Sequence, residues 1–278
     1  MPVEIRPLSR SALLVDERVI VKHEPRSPGW LRRLYRVAMG GSLPFQNEIQ
    51  IYRANPQHFP EIATVDRPGL ILIPFEASVR GVGAEDVDMA FVTRIFTDLS
   101  SLRGHTGFGP VKRLLFRLLN APVPRTLRDL RRSRKLTVPE RLRLAWRLIC
   151  LQARQPKLNA QGQWPVIHND LMLHNILRFP DRTTAIDFED ALVERRWVFA
   201  DVTDLMFQGN HWTPGEMAPA LRALSLARGD GWSDRNLQDH LTYGLLRFHI
   251  RRTVMSRVSE AERSESLRQI REWLHGPE

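Results

Sequence analysis

Residues 166–175 read VIHNDLMLHN, and residues 183–192 read TTAIDFEDAL. In both, a short apolar run ends on residues that can do chemistry. His168, Asp170 and Asn175 follow Val166-Ile167, and Asp187 follows Ala185-Ile186. The segment between suits a loop, a strand over 175–178, a turn at Pro180-Asp181 and a strand over 183–186. Such a hairpin would bring Asp170, Asn175 and Asp187 into one small space. Two carboxylates and a side-chain amide oxygen at close quarters suit phosphoryl transfer from ATP. That reaction asks the protein for position and charge rather than covalent chemistry. One carboxylate can orient an acceptor hydroxyl and take its proton. A second carboxylate and the amide oxygen can hold Mg2+, a hard cation that prefers oxygen ligands. Asp170, Asp187 and Asn175 fit those three roles.

The elements that must position these residues are legible in outline. The first stretch is β-rich. PVEIRP and ALLVDERVIVKHE suggest short strands, with Asp16-Glu17 turning between Ala12–Val15 and Arg18–His23. Ser42 and Pro44 mark a helix start, and Phe45, Ile49 and Tyr52 then form an inward stripe at helical spacing. RPGLILIPFEA reads as a buried strand after Pro68-Gly69. The rest is mainly helical. Val87, Phe91, Ile95, Leu99 and Leu102 keep helical spacing, as do Leu241, Leu245 and Phe248, then Leu267, Ile270 and Leu274. A small β-rich lobe over 1–76, joined near Phe75–Val79 to a larger helical lobe over 77–278, is the expected α+β organisation. The cleft between the lobes is the default place for a ligand.

HNDLMLHN followed by IDFED resembles the catalytic and metal-binding motifs of the protein-kinase-like superfamily. The likeness is to its aminoglycoside/choline phosphotransferase branch and to the lipopolysaccharide kinases. It implies a bilobal fold and ATP and Mg2+ as cofactors. It implies Asp170 as catalytic base, His168 as support for its loop, and Asn175 and Asp187 as metal ligands. Asp204, in VTDLMF, resembles a downstream aspartate that braces the loop. The family also uses a strand lysine on the phosphates, held by a helix glutamate. Lys22 ends the run RVIVK and Glu48 lies in the first helix, QNEIQIY, although Glu24 offers Lys22 a nearer partner. The pattern departs from the family at the loop that covers the phosphates. The first glycine of the chain is Gly29, and the corresponding turn reads LSRSA. Ser9 and Ser11 would then offer their backbone N–H groups and hydroxyls to the nucleotide.

Composition narrows the partners. The net charge is +10, which favours anionic ones. Between Lys112 and Arg147 stand twelve basic residues opposed only by Asp129 and Glu140. A solvated helix face and an anion-binding surface both fit that segment. An aminoglycoside is a polycation and suits it poorly. The expected acceptor is the hydroxyl of a small molecule, sugar or glycolipid of acidic character. A serine/threonine acceptor on a protein is the second reading. A degenerate kinase fold that binds an anion, a nucleic acid or a partner is the competing one, with nucleic acid the weaker fit. Trp30, Leu31 and Leu34 among Arg32, Arg33 and Arg36 also suit an anionic membrane surface. No run is long and apolar enough to span a bilayer, the first ten residues lack a signal-peptide core, and Cys150 is the single cysteine. These point to the cytoplasm, with peripheral contact at the inner membrane face. Cys150, in an apolar helical run, reads as a small core residue. His174 fits no ligand pattern, and Glu189 and Asp190 suit either the metal or solvent. Neither a P-loop nor a dinucleotide glycine motif is present.

Overall fold

The computed structural model describes residues 4–7, 12–16, 18–24, 42–60, 62–65, 70–74, 80–104, 108–157, 166–179, 182–209, 212–229, 231–256 and 258–275. Ser9, Ser11, the basic stretch 30–36 and the join near 75–79 lie outside them.

The small lobe is a five-stranded antiparallel sheet carrying one helix. Its strands are β1 (Ile5–Pro7), β2 (Ala12–Val15), β3 (Val19–His23), β4 (Ala63–Val65) and β5 (Leu70–Pro74), in the order β1-β2-β3-β5-β4. Asp16 makes the β2–β3 turn in the left-handed region, at φ 49°. Its amide donates to the Glu4 carbonyl, and its carboxylate accepts the Glu4 amide. The edge strand β4 carries no clear alternation and was not legible in the sequence.

Register decides where Lys22 points. It pairs with Ala12 on one side and Ile71 on the other. Residues directly opposite across an antiparallel pair share a face. Lys22 therefore shares its face with Ile71, which is fully buried. Helix α1 (Leu43–Ala54) starts after Ser42, with Pro44 in its first turn, and buries Phe45, Ile49 and Tyr52. The same helix buries the polar Asn47 and Glu48.

The larger lobe holds eight described helices: α2 (Met89–Ser101), α3 (Pro110–Asn120), α4 (Pro122–Arg132), α5 (Val138–Arg154), α6 (Ala200–Gln208), α7 (Pro214–Arg228), α8 (Asp234–Val254) and α9 (Glu260–His275). The Asp88 carboxylate caps α2 by accepting the Phe91 amide at 2.7 Å. Thr137 and Glu140 cap α5 reciprocally. These caps satisfy orphan N–H groups at helix starts. Short strands carry the motifs. They are β6 (Arg80–Gly81), β7 (Val166–Ile167), β8 (Ile176–Arg178), β9 (Thr183–Ala185) and β10 (Leu192–Val193). The hairpin β8–β9 forms as expected, and β6 adds to its edge. Strand β7 does not join that sheet; it pairs with β10.

One apolar core runs through both lobes, from Ile71 and Tyr52 through Phe188 to Phe91 and Leu205. A second core packs α4, α5, α8 and α9 around Trp197, whose ring stacks on Tyr243. Helices α6 and α8 cross closely at Gly244, where a Cβ would lie 2.6 Å from the Thr203 Cβ. Cys150 is half-buried on α5 rather than a core residue. Its position falls between the inward face of Leu144, Leu148 and Leu151 and the solvent face.

Candidate active site

The loop after β7 is tied down through its backbone. The amides of His168 and Asn169 donate to the two oxygens of Asp201, at 2.5 and 2.8 Å. Asn169 is left-handed, with φ 66°, a conformation asparagine tolerates better than most residues. Its carbonyl accepts Arg247 at 2.9 Å, and its side-chain amide donates to the Asn120 carbonyl. Arg247 also pairs with Asp204 at 3.1 Å. Burial pushes the Asp204 carboxyl up to about 7, against the pull of Arg247. Asp201, not Asp204, is thus the direct brace of the loop, and Asp204 acts through Arg247. The sequence offered both aspartates in WVFADVTDL, and only the backbone contacts separate them.

His168 joins the two motif segments. Its Nε2 lies 2.7 Å from the Ile186 carbonyl, and its Nδ1 accepts the Asp170 amide. Burial lowers its pKa, which favours the neutral ring. A carbonyl partner at Nε2 and an N–H partner at Nδ1 require the proton on Nε2. The side-chain amide of Asn175 donates to the Asp170 carbonyl at 2.9 Å, and the Asn175 carbonyl accepts the Ile186 amide at 2.8 Å. Asp170, Asn175 and Asp187 are therefore held in one cluster.

Asp187 adopts φ 71°, and its amide donates to the Tyr52 hydroxyl. Its carboxylate lies 2.5 Å from the Lys22 ammonium, which also meets Glu48 at 2.5 Å and Glu189 at 3.1 Å. Glu24 turns instead to the amide of Ser42. Burial works against the charge on Lys22, but the three carboxylates outweigh it and the net shift is upward. Burial pushes Glu48 up to about 7, with Lys22 opposing. At Asp187 burial also raises the pKa, but Lys22 outweighs it and the net shift is downward. Tyr52 donates to the other Glu48 oxygen. Asn47 fixes the turn after Asp187 by donating to the carbonyls of Phe188 and Ala191. Sequence reading passed over Asn47 and Tyr52 because neither type marks a site by itself.

Carboxylate oxygens of Glu48, Asp187 and Glu189 lie within 4.8 Å of one another. Glu48 is fully buried and already meets Lys22 and Tyr52, whereas Asp187 and Glu189 are part-open. Asp187 and Glu189 thus present hard carboxylate oxygens of the kind Mg2+ takes, and Asn175 is tied to the same segment through the bond from the Ile186 amide to its carbonyl.

The other side of Asp170 is cationic. Its carboxylate meets Arg251 through one oxygen and lies 3.7 Å from Arg125 through the other. Arg125 also pairs with Asp190 at 2.7 Å. Burial, with the charge of Arg125 beside it, pulls Arg251 down to about 9. Arg247 and Arg251 stand four apart on α8, so one helix face serves both the loop backbone and its carboxylate. His174 is exposed.

A small antiparallel sheet with one helix, stacked on a helical lobe with this loop at their junction, defines the protein-kinase-like fold. Solved structures share it at low identity. Choline kinase LicA from Streptococcus pneumoniae is 12% identical with a TM-score of 0.60, over 98% of this chain and 93% of that one. A choline/ethanolamine kinase family protein from Mesorhizobium loti is 14% identical with a TM-score of 0.60, over 100% and 89%. An ethanolamine kinase from Plasmodium vivax is 11% identical with a TM-score of 0.53, over 97% and 80%. No curated protein sequence matches. Residues 97–237, half of the chain, match the model of the phosphotransferase enzyme family. The chain belongs to that family and is a phosphotransferase.

Proposed function

We propose that the protein transfers the γ-phosphoryl group of ATP, as its Mg2+ complex, to a hydroxyl of a small acidic acceptor. The observation that carries this reading is the clustering of Lys22, Asp187, Asn175 and Asp170 where the two lobes meet. Lys22, held by Glu48, binds the nucleotide phosphates. Asp187 and Asn175, with Glu189 beside them, hold Mg2+, which neutralises charge on the phosphate oxygens when bound. Asp170 orients the acceptor hydroxyl and takes its proton, and neutral His168 keeps the loop in place. Ser9 and Ser11 remain candidates for nucleotide contact through their backbone.

The acceptor class follows from Arg251 and Arg125. Two guanidinium groups flank the carboxylate that must face the hydroxyl. They would repel an amino alcohol and can hold an oxyanion by paired hydrogen bonds. A sugar or glycolipid carrying a phosphate or carboxylate meets that requirement. In the resting state Arg251 pairs with Asp170. An acidic acceptor would compete for that arginine and release the carboxylate for its hydroxyl.

The test is a phosphotransfer screen with labelled ATP against sugar phosphates, hydroxy acids, acidic glycolipids, neutral sugars and amino alcohols. Transfer to an acidic acceptor should require Mg2+ and fall about 10²–10⁴-fold in Asp170→Asn. Transfer to protein serine or threonine alone would instead favour the protein-kinase reading. ATP binding with equal cellular function in wild type and Asp170→Asn would mark a degenerate binder.

A further inference from the structure

Large apolar side chains stand exposed mostly in one part of the chain. Among the described residues, eight of the eleven lie between Val111 and Ile149. They form a stripe on each of two helices. On α3, Val111, Leu114 and Leu118 recur at i, i+3 and i+7, with Leu114 61% exposed. Only Phe116 and Asn120 of that helix are buried, so its broad apolar face turns away from the protein. On α5, Leu142, Trp146 and Ile149 recur at i, i+4 and i+7, with Trp146 66% exposed. Leu144, Leu148 and Leu151 bury the opposite face. An apolar stripe on the outer face of a helix is the reverse of what packing needs.

Charge accompanies both stripes. At 100° per residue, Arg117 borders the α3 stripe and Arg143 borders the α5 stripe, and both are exposed. Helix α3 carries no acid. The one acid of α5, Glu140, is taken by its own cap and by Arg271. An outward apolar stripe bordered by arginines fits an interface that is apolar in depth and anionic at its surface. A second copy of the chain fits worse. An antiparallel two-fold pairing of either stripe would set its bordering arginine on the same side of the seam as the same arginine of the second copy. Nucleic acid would meet the charges and leave the apolar side chains in water.

We infer that the outer faces of α3 and α5 dock this protein onto an anionic lipid bilayer. The inference is independent of the assigned catalytic roles, because none of these side chains belongs to the cluster around Asp170. A phosphotransferase docked in this way would work beside acceptors displayed at the membrane surface.

The full chain can be tested by flotation with vesicles of phosphatidylcholine alone and of phosphatidylcholine mixed with phosphatidylglycerol. It should float with the mixed vesicles only, and less so at high salt. Leu114→Glu and Trp146→Glu should each weaken partition by about tenfold or more, at unchanged melting temperature and unchanged ATP binding. Trp146 emission should shift to shorter wavelength on the mixed vesicles, a shift missing in Trp146→Phe. No partition, or partition retained in both glutamate variants, overturns the inference. So does a concentration-dependent dimer that Leu142→Glu dissociates, which would assign the stripe to a second copy.

Discussion

The Asp201 carboxylate accepts the backbone amide of His168 at 2.5 Å, across 33 positions of sequence. With its second oxygen on the Asn169 amide, it fixes the loop from which Asp170 projects. A hydrogen bond to a charged group is worth roughly 1.5–3 kcal/mol. Asp201→Asn keeps one acceptor oxygen and replaces the other by a donor that faces an N–H. The melting temperature should fall, and kcat should fall with it while KM for ATP changes little. Steady-state kinetics beside calorimetry checks this, and a KM effect alone would contradict a loop-bracing role.

Lys22 pairs with Glu48, Asp187 and Glu189 at once. Breaking a buried pair by removing one partner costs about 3–5 kcal/mol. Lys22→Met should lose Mg2+-dependent ATP binding. Its stability loss should be smaller at pH 6 than at pH 8, because burial already holds Glu48 near about 7 and protonation then relieves it. Isothermal titration and melting curves at both pH values measure the two effects separately.

If the proposed function holds, Arg251 and Arg125, which pair with Asp170, select for an acidic acceptor. Arg251→Met should raise KM for an acidic acceptor by at least about tenfold, the loss of one charge-assisted hydrogen bond or more. KM for ATP should stay near the wild-type value. A neutral analogue of the same acceptor should lose little or nothing. An equal loss for both acceptors would show that Arg251 only supports the fold.

Gly244 lets α6 and α8 approach. A Cβ there would meet the Thr203 side chain at 2.4 Å, so the helices must part. Overpacking of this kind costs about 1–3 kcal/mol. Helix α8 also carries Arg247 and Arg251, which hold the loop and its carboxylate. Gly244→Ala should therefore lower both stability and kcat, although it lies outside the cluster around Asp170. The double variant Gly244→Ala with Thr203→Ala, which removes the Oγ1 at 2.4 Å and the methyl group at 3.1 Å, should recover part of each.

His249 gives an acid-sensitive contribution to stability. Burial, with Arg252 beside it, lowers its pKa from 6.5 to about 4, against the pull of Glu265. In the unfolded chain the ring takes a proton near 6.5, and in the fold only near 4. Between those values the unfolded state binds more protons. The contribution is complete above 6.5 and is lost as pH falls towards 4. Wild type should lose melting temperature more steeply over that window than His249→Gln. Parallel slopes would mean that His249 titrates normally in the fold.

The amino-acid sequence by itself determined which chemistry was available. HNDLMLHN and IDFED, an interrupted pair of apolar runs ending in acids, announced the hairpin and its carboxylates through local spacing alone. Helix stripes such as Phe91, Ile95 and Leu99 were equally local, and they recurred as buried faces. Lys22 and Glu48 could be named as partners, but Glu24 was nearer in sequence. The sheet register settled that pair by pointing Lys22 at α1. The supports of the loop were harder to read. Asp201 differs from Asp204 by one turn of α6, and only a backbone contact tells them apart. Arg251 stands 81 positions after Asp170, and no periodicity links them. The basic segment 112–147 read as one charged tract. Folding divides it: Arg125 turns in to Asp170, and Arg117 and Arg143 turn out beside apolar stripes. Local patterns fix elements because they depend on neighbours in the chain. Which residues meet across those elements depends on how helices and strands pack, and that was decided only by the tertiary structure.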